Sequence, residues 1–222
     1  MHYKVKPFKL LDCAVFFDFD NTITVSDVLD DIIKCFAVDR KWIKFEKLWQ
    51  QGKIGSKKCL EEQLKFVRVT KKNLIDFLGR VKLDPYVHTL FPLLRRKGVE
   101  PIILSDSFGF IIDSILKTNG IEGIEVYANN IKFAKDRLIP FFPYSNGCPR
   151  CSHCKKEHLL SPRFNNKITV YAGDGFSDIC PAEVAHIVFA KDRLLSHLKQ
   201  EKKPYQPFKN LKDIYNFFQE LA

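Results

Sequence analysis

The chain has 222 residues, of which 45% are hydrophobic and 28% charged, and 36 Lys and Arg against 26 Asp and Glu leave a formal net charge of +10. That apolar fraction excludes a disordered chain, and the length suits one domain, or one domain with a modest insert. No apolar run approaches the roughly 18 residues that a membrane crossing needs, so no membrane partner is expected.

The elements follow in chain order. Met1 to Lys9 is basic, but the short apolar stretch after it contains Asp12, Asp18 and Asp20, which makes a poor signal peptide; the seven cysteines, an odd count with four scattered in apolar surroundings, suit a reducing, cytoplasmic location. Residues 11–17 read as a buried parallel strand ending in an acidic loop, Asp18 to Thr24. Helices are predicted over 27–37, 40–51, 56–68 and 71–79, with Trp42, Phe45 and Trp49 on one apolar face of the second. Asp84-Pro85 opens a helix that ends at Gly98. A second buried strand, 99–104, leads into the polar turn Ser105-Asp106-Ser107. A helix over 108–118 follows, then short strands at 124–127 and 131–134 joined at Asn129-Asn130, then a Pro- and Cys-rich loop over 140–154. Helix 155–161, strand 167–172, helix 177–184, strand 186–190 and a final helix over 210–220 complete the chain.

Strands alternating with helices predict an α/β fold, a Rossmann-like parallel sheet with helices on both faces. Residues 27–84 interrupt that pattern and read as an inserted helical cap, so the core is 1–26 and 85–222. The excess charge does not mark a site: the cap holds 14 basic and 9 acidic residues, half the net charge, while 1–26 balance at 3 and 3. Ligands of open parallel sheets bind at the carboxyl ends of strands. Three polar turns are predicted there: Asp18 to Thr22, Ser105 to Ser107, and Gly173 to Asp178. Asp and Gly favour turns for local reasons, and a single such turn would be unremarkable. Two acidic turns at matched strand ends, with a hydroxyl turn between, argue for a site instead. Four carboxylates brought together repel one another unless a cation is present, and oxygen ligands of this kind suit Mg²⁺.

DFDNTIT, from Asp18, resembles the DxDxT motif of the haloacid dehalogenase superfamily. Ile103-Leu104-Ser105 is similar to its second motif, and GDGFSD, from Gly173, to its GDxxxD motif. The resemblance implies the superfamily's fold with a C1-type helical cap and a phosphatase acting on a small phosphorylated metabolite. It implies Asp18 as nucleophile, Asp20 as general acid and base, and Ser105 as a phosphoryl hydrogen-bond donor. Mg²⁺ would be held at Asp18, Asp20 (through its carbonyl) and Asp174, with Asp178 supporting. Asp27, Asp106, Ser107 and Gly175 are expected to bind substrate. The family's lysine falls at Lys155 or Lys156, and the Cys-Lys junction favours Lys155.

The helical insert resembles the phosphoserine phosphatase-like subfamily. Its cap arginine is missing here: the corresponding stretch reads Leu60-Glu61-Glu62-Gln63, and a Glu would repel a substrate carboxylate. The C-terminal half is similar both to methionine-salvage phosphatases and to phosphoethanolamine/phosphocholine phosphatases. An uncharged methylthio substrate would need apolar residues, with Phe45, Trp49 and Phe66 as candidates; a cationic head would need Asp27, Asp30 and Asp31. Of seven cysteines, Cys148, Cys151 and Cys154 crowd one window with His153 and His158 nearby. Structural zinc, packed free thiols and a redox-formed disulfide are all open readings. A basic nucleic-acid-binding module and a phospho-ligand-binding protein without turnover are the rival classes; strand-end carboxylates argue against nucleic acid as a partner. The sequence leaves the oligomeric state open.

Overall fold

The computed structural model describes residues 9–221. The basic N-terminal stretch and the first part of the predicted core therefore lie almost wholly outside the described residues. No described helix is long and apolar enough to cross a membrane.

One seven-stranded sheet organises the chain. Its strands are β1 (Cys13–Phe17), β2 (Pro101–Phe108), β3 (Glu125–Ala134), β4 (Arg137–Phe141), β5 (Ile168–Gly173), β6 (Ile187–Ala190) and β7 (Gln206–Pro207). The order across the sheet is β4-β3-β2-β1-β5-β6-β7. Only β4 runs antiparallel, to β3; every other neighbouring pair is parallel. β1 is central, paired with β2 on one side and β5 on the other, so the chain order reverses there. That is the switch point where parallel sheets open a crevice beyond their carboxyl ends.

The ten α-helices among the described residues are α1 (Val28–Phe36), α2 (Trp42–Gln50), α3 (Ser56–Leu64), α4 (Lys71–Leu78), α5 (Val87–Arg96), α6 (Gly109–Thr118), α7 (Lys155–Leu159), α8 (Ile179–Ala182), α9 (Asp192–Gln200) and α10 (Leu211–Glu220). Both faces of the sheet are covered. Along β1, Cys13, Val15 and Phe17 enter one core with Leu90 and Leu94 of α5, Ile111 and Ile115 of α6, and Ile214 and Phe218 of α10. Ala14 and Phe16 enter the opposite core with Leu159 of α7 and Tyr171 of β5. A strand buried on both faces is necessarily an unbroken apolar run, which is why CAVFF shows no alternation.

Helices α1 to α4 lie between β1 and β2 in sequence. Their entry and exit are pinned together by a bridge between Thr24 and Leu83. Val28, Ile32, Leu64 and Leu74 from this block belong to the same core cluster as β1 and α5, so the hydrophobic interior runs on without a break.

Three predicted elements are corrected. Residues 125–134 are one strand, not two joined at Asn129-Asn130; the turn falls at Lys135, whose φ of +57° lets the chain reverse into β4. Part of the expected loop, up to Phe141, is β4, an edge strand that tolerates Pro140. Ser105-Asp106-Ser107 is not a turn: β2 runs on to Phe108, and its pairing with β3 shifts register between Ser105 and Phe108. Helix α9 and strand β7 were not foreseen.

Candidate active site

The site is built on three adjacent strand ends. Asp18 follows β1 directly, and its N–H donates to the Ala172 carbonyl on β5 at 2.8 Å. Ser105 lies within β2. Asp174 follows β5. The parallel pairing of β1 with β2 and β5 brings residues 87 and 156 positions apart along the chain from Asp18 into one crevice.

Lys155 occupies the centre. It is buried at the start of α7, with Nζ 2.6 Å from Asp18 Oδ1, 2.7 Å from Asp178 Oδ1 and 3.2 Å from Ser177 Oγ. Burial works against its charge, but the carboxylates of Asp178 and Asp18 outweigh it and hold the ammonium well above the usual lysine range. Lys156 is only half-buried, and no ion pair among the described residues joins it to a site carboxylate.

Asp178 is saturated. Lys155 and the Tyr171 hydroxyl donate to its Oδ1, and the backbone N–H groups of Asp174 and Gly175 each donate to its Oδ2 at 2.9 Å. A carboxylate with four donors orients its neighbours rather than reaching for a ligand. Gly173 is required by this arrangement: a Cβ there would lie 2.5 Å from the Asp178 Cγ. Tyr171 was not foreseen as a site residue, because in sequence it is one apolar position of a buried strand. Tyr171→Phe is expected to leave the fold intact but lower stability by about 1.5–3 kcal/mol, the usual worth of a buried hydrogen bond to a charged group. Urea unfolding of the two proteins measures this, and an unchanged midpoint would contradict it.

Asp18, Asp174 and Asp178 each offer a carboxylate oxygen within 4.8 Å of the others, the only such group among the described His, Cys, Asp and Glu residues. Burial, followed by the Asp178 charge, pushes Asp18 well above the usual carboxylate range. Burial and Asp178 likewise raise Asp174 to about 6, against the Asn21 amide that donates to its Oδ2 at 2.8 Å. Two buried carboxyls and the half-buried Asp174 face one ammonium, so a cation is what the site lacks for full ionisation. Hard oxygen donors of this kind fit a divalent ion such as Mg²⁺.

Asp20 lines the same crevice as Asp18, and Val28 N–H donates to its Oδ1 at 2.9 Å. Burial raises it to about 7, with the Val28 hydrogen bond opposing. A carboxyl at that value exchanges a proton near neutrality. Asp27 caps α1, accepting from Asp30 N–H at 2.8 Å, and also lines the crevice; burial and the Asp20 charge raise it well above normal.

Ser105 Oγ accepts from Ser107 N–H at 3.0 Å, and the Ser105 carbonyl pairs with His153 Nδ1 at 2.9 Å. Asp106 Oδ2 accepts from Ser56 Oγ on α3 and Ser152 Oγ on the cysteine loop, both at 2.8 Å. Its Oδ1 and the Ser107 Oγ are buried without partners at the crevice wall, free for a ligand. Gly175 also lines the crevice, but its N–H is already committed to Asp178.

The cavity measures about 340 Å³. Its outer wall comes from α1, α2 and α3: Asp30, Glu46, Trp49, Leu60 and Gln63. Trp49 meets Phe176 edge-on at 5.8 Å. Phe45 and Phe66 stack on one another at 6.4 Å and are not in the wall, and Asp31 turns aside to accept from Ser26 Oγ. Glu61 and Glu62 face elsewhere, so they are not what would repel a carboxylate; Glu46, held by Gln63 Nε2 at 3.0 Å, was missed and is. Helical phase explains both errors, since Leu60 and Gln63 share the inward face of α3.

The zinc expectation at Cys148, Cys151 and Cys154 is corrected. Among the described residues these three do not gather into a metal-ligand group. His153 and His158 hydrogen-bond each other through their Nε2 atoms at 2.7 Å, and the other His153 nitrogen is taken by Ser105. Burial pushes His153 down to about 3, so it is a neutral strut under Ser105.

Residues 13–197 match the family model described as Putative Phosphatase. The chain is 24% identical over 206 residues to a 2-hydroxy-3-keto-5-methylthiopentenyl-1-phosphate phosphatase of Microcystis aeruginosa, covering 91% of this chain and 96% of that one. It is 23% identical over 197 residues to a phosphoserine phosphatase of Homo sapiens, covering 86% and 88%. A solved structure of a phospho-aspartyl intermediate analogue of phosphoserine phosphatase superposes with a TM-score of 0.71 at 19% identity, covering 96% of this chain and 99% of that one. This chain belongs to the Putative Phosphatase family and shares the fold of haloacid dehalogenase-type phosphatases.

Proposed function

We propose that the protein hydrolyses a small-molecule phosphomonoester through an aspartyl-phosphate on Asp18, with Mg²⁺ as cofactor. The observation that carries this reading is the buried Lys155 ammonium, 2.6 Å from Asp18 and 2.7 Å from Asp178 where β1 and β5 end together. Asp18 Oδ attacks phosphorus in line with the leaving alkoxide, which takes a proton from Asp20. Asp20, now ionised, takes a proton from the water that attacks the aspartyl-phosphate and regenerates Asp18. Its position near pH 7 serves both half-reactions. Lys155 and Ser105 neutralise and position the phosphoryl oxygens. Asp18, the Asp20 carbonyl and Asp174 would hold Mg²⁺, with Asp178 orienting the shell; the ion supplies charge neutralisation at the phosphoryl group.

Residues 27–84 are proposed to act as a cap that excludes water and selects the substrate. The names of the relatives support the methylthio-ketopentenyl phosphate, which Trp49, Leu60 and Phe176 would contact through its apolar end. A second reading rests on the acidic wall: Asp27, Asp30 and Glu46 favour a cationic head such as phosphocholine or phosphoethanolamine over phosphoserine.

Phosphate release from these four esters, with Mg²⁺ and with EDTA, tests the proposal. Turnover of at least one, lost in EDTA and restored by Mg²⁺, is expected. Turnover that survives EDTA overturns the metal role, and none on any ester overturns the activity on small monoesters. A lead for the amine esters selects the second reading.

A further inference from the structure

The cysteine loop is the feature that the phosphatase reading leaves unused, and the structure adds a fourth thiol to it. The short helix α8 begins directly after Asp178 and carries Cys180 near its start. The cysteine loop is folded on itself by Cys148 N–H on the Ser145 carbonyl and Cys154 N–H on the Tyr144 carbonyl, each at 2.8 Å. In that fold the buried Cys151 thiol lies against the sulfurs of Cys180 and Cys148. The Arg150 guanidinium reaches Cys180 Sγ from outside, with Nη2 at 3.4 Å. Cys180 itself is half-buried and free. A cationic neighbour, partial exposure and an adjacent second thiol are the features of an oxidisable pair. Cys13 and Cys59 lack them: each is buried, and burial raises them to about 11 and 12.

The two segments joined at this contact carry the two ends of the central ion pair. Four residues after Cys151 comes Lys155, and two before Cys180 comes Asp178. Between them, Ser152 Oγ donates to Asp106, and His153 supports the Ser105 carbonyl. The same loop seats the cap: Ser56 N–H donates to the Arg150 carbonyl at 2.8 Å, and a Cβ on Gly55 would lie 2.1 Å from the Pro149 carbonyl oxygen.

We propose that Cys151 and Cys180 form a reversible disulfide in the presence of a peroxide, and that this bond slows the phosphatase by displacing the Lys155 loop. In the first step Cys180 sulfur attacks one peroxide oxygen. The O–O bond breaks and the departing hydroxide takes the thiol proton as water, leaving a sulfenic acid. Cys151 sulfur then displaces the hydroxyl from Cys180 sulfur, and a second water carries away its proton. Two thiols and one peroxide thus give one disulfide and two waters. Bonding draws the sulfurs to about 2.05 Å, well inside the contact distance of two thiols. A shift of about 1 Å in a positioned catalytic group is enough to cost on the order of 10²-fold in rate.

The test treats fully reduced protein, freed of reductant, with one equivalent of hydrogen peroxide. Non-reducing peptide mapping is expected to find residues 151 and 180 joined, with a Cys154→Ser background separating Cys151 from Cys154 in the shared peptide. Turnover should fall about tenfold or more and return with dithiothreitol, and Cys180→Ser should show neither change. Mapping on the native protein keeps the result independent of whether that variant folds. No crosslink, a crosslink to Cys148 or Cys154, or zinc bound to the thiols of the purified protein would each overturn the pairing. A Cys151–Cys180 crosslink with unchanged turnover would overturn its control of the site. If the protein turns over no ester at all, the mapping still decides the disulfide by itself.

Discussion

Asp18→Asn is expected to lower phosphate release by about four orders of magnitude or more while leaving the protein folded. The amide has no charge with which to attack phosphorus, so the covalent step is lost rather than slowed. Stability should move little or rise. In the native protein Asp18 is buried beside Asp178 and Asp174, and burial with those charges already raises it well above normal. Replacing it by a neutral group of the same shape removes that repulsion, and Lys155 keeps Asp178 as its partner at 2.7 Å. Phosphate release and the thermal midpoint, measured on one preparation, check both halves. Near-normal turnover would sink the assignment of Asp18 as nucleophile.

Lys155→Met is expected to fail in a different way. Met keeps the length and apolar character of the stem but removes the ammonium that faces both Asp18 and Asp178. Turnover should fall on the order of 10²–10³-fold, the usual cost of one positioned charge-stabilising group. Stability should fall as well, by about 3–5 kcal/mol, because two buried carboxyls lose their cation. Added Mg²⁺ should return part of that stability if Asp18 and Asp174 bind it, since a ligand that binds only the folded state stabilises it. Urea unfolding with and without Mg²⁺ separates the two contributions. Lys156→Met is the control: Lys156 is half-buried and pairs with neither Asp18 nor Asp178, and its loss should leave both quantities near native values. Equal losses from both variants would contradict the placement of Lys155.

Much of this arrangement was legible in the residues. Asp18, Asp20, Asp174 and Asp178 stand next to apolar runs short enough to be buried strands, and parallel strands put such turns at one edge by construction. Lys155 was preferred to Lys156 on the resemblance of the Cys-Lys junction alone, because which of the two turns inward depends on tertiary packing of the cysteine loop. Glu46 and Tyr171 carried no local signal. Glu46 sits on a helix whose inward face is fixed only by packing on α3, and Tyr171 is an apolar strand residue until its hydroxyl meets Asp178. Phe45 and Phe66 show the opposite error: their apolar character suited a pocket wall, but they stack on each other.

Local chemistry determined the fold class, most of the alternation of strands and helices, and the acidic strand ends, because each depends on residues close together in sequence. Tertiary structure decided the rest. It ran β3 through Asn129-Asn130, where β2 offered it a partner, and added β4 at the edge. It gave Asp178 four donors from three segments, and it placed Cys180 beside a loop some thirty residues away, so the cluster of cysteines visible in sequence was not the set that meets in space. Contacts between distant segments are set by the packing of elements, and no local pattern of residues encodes them.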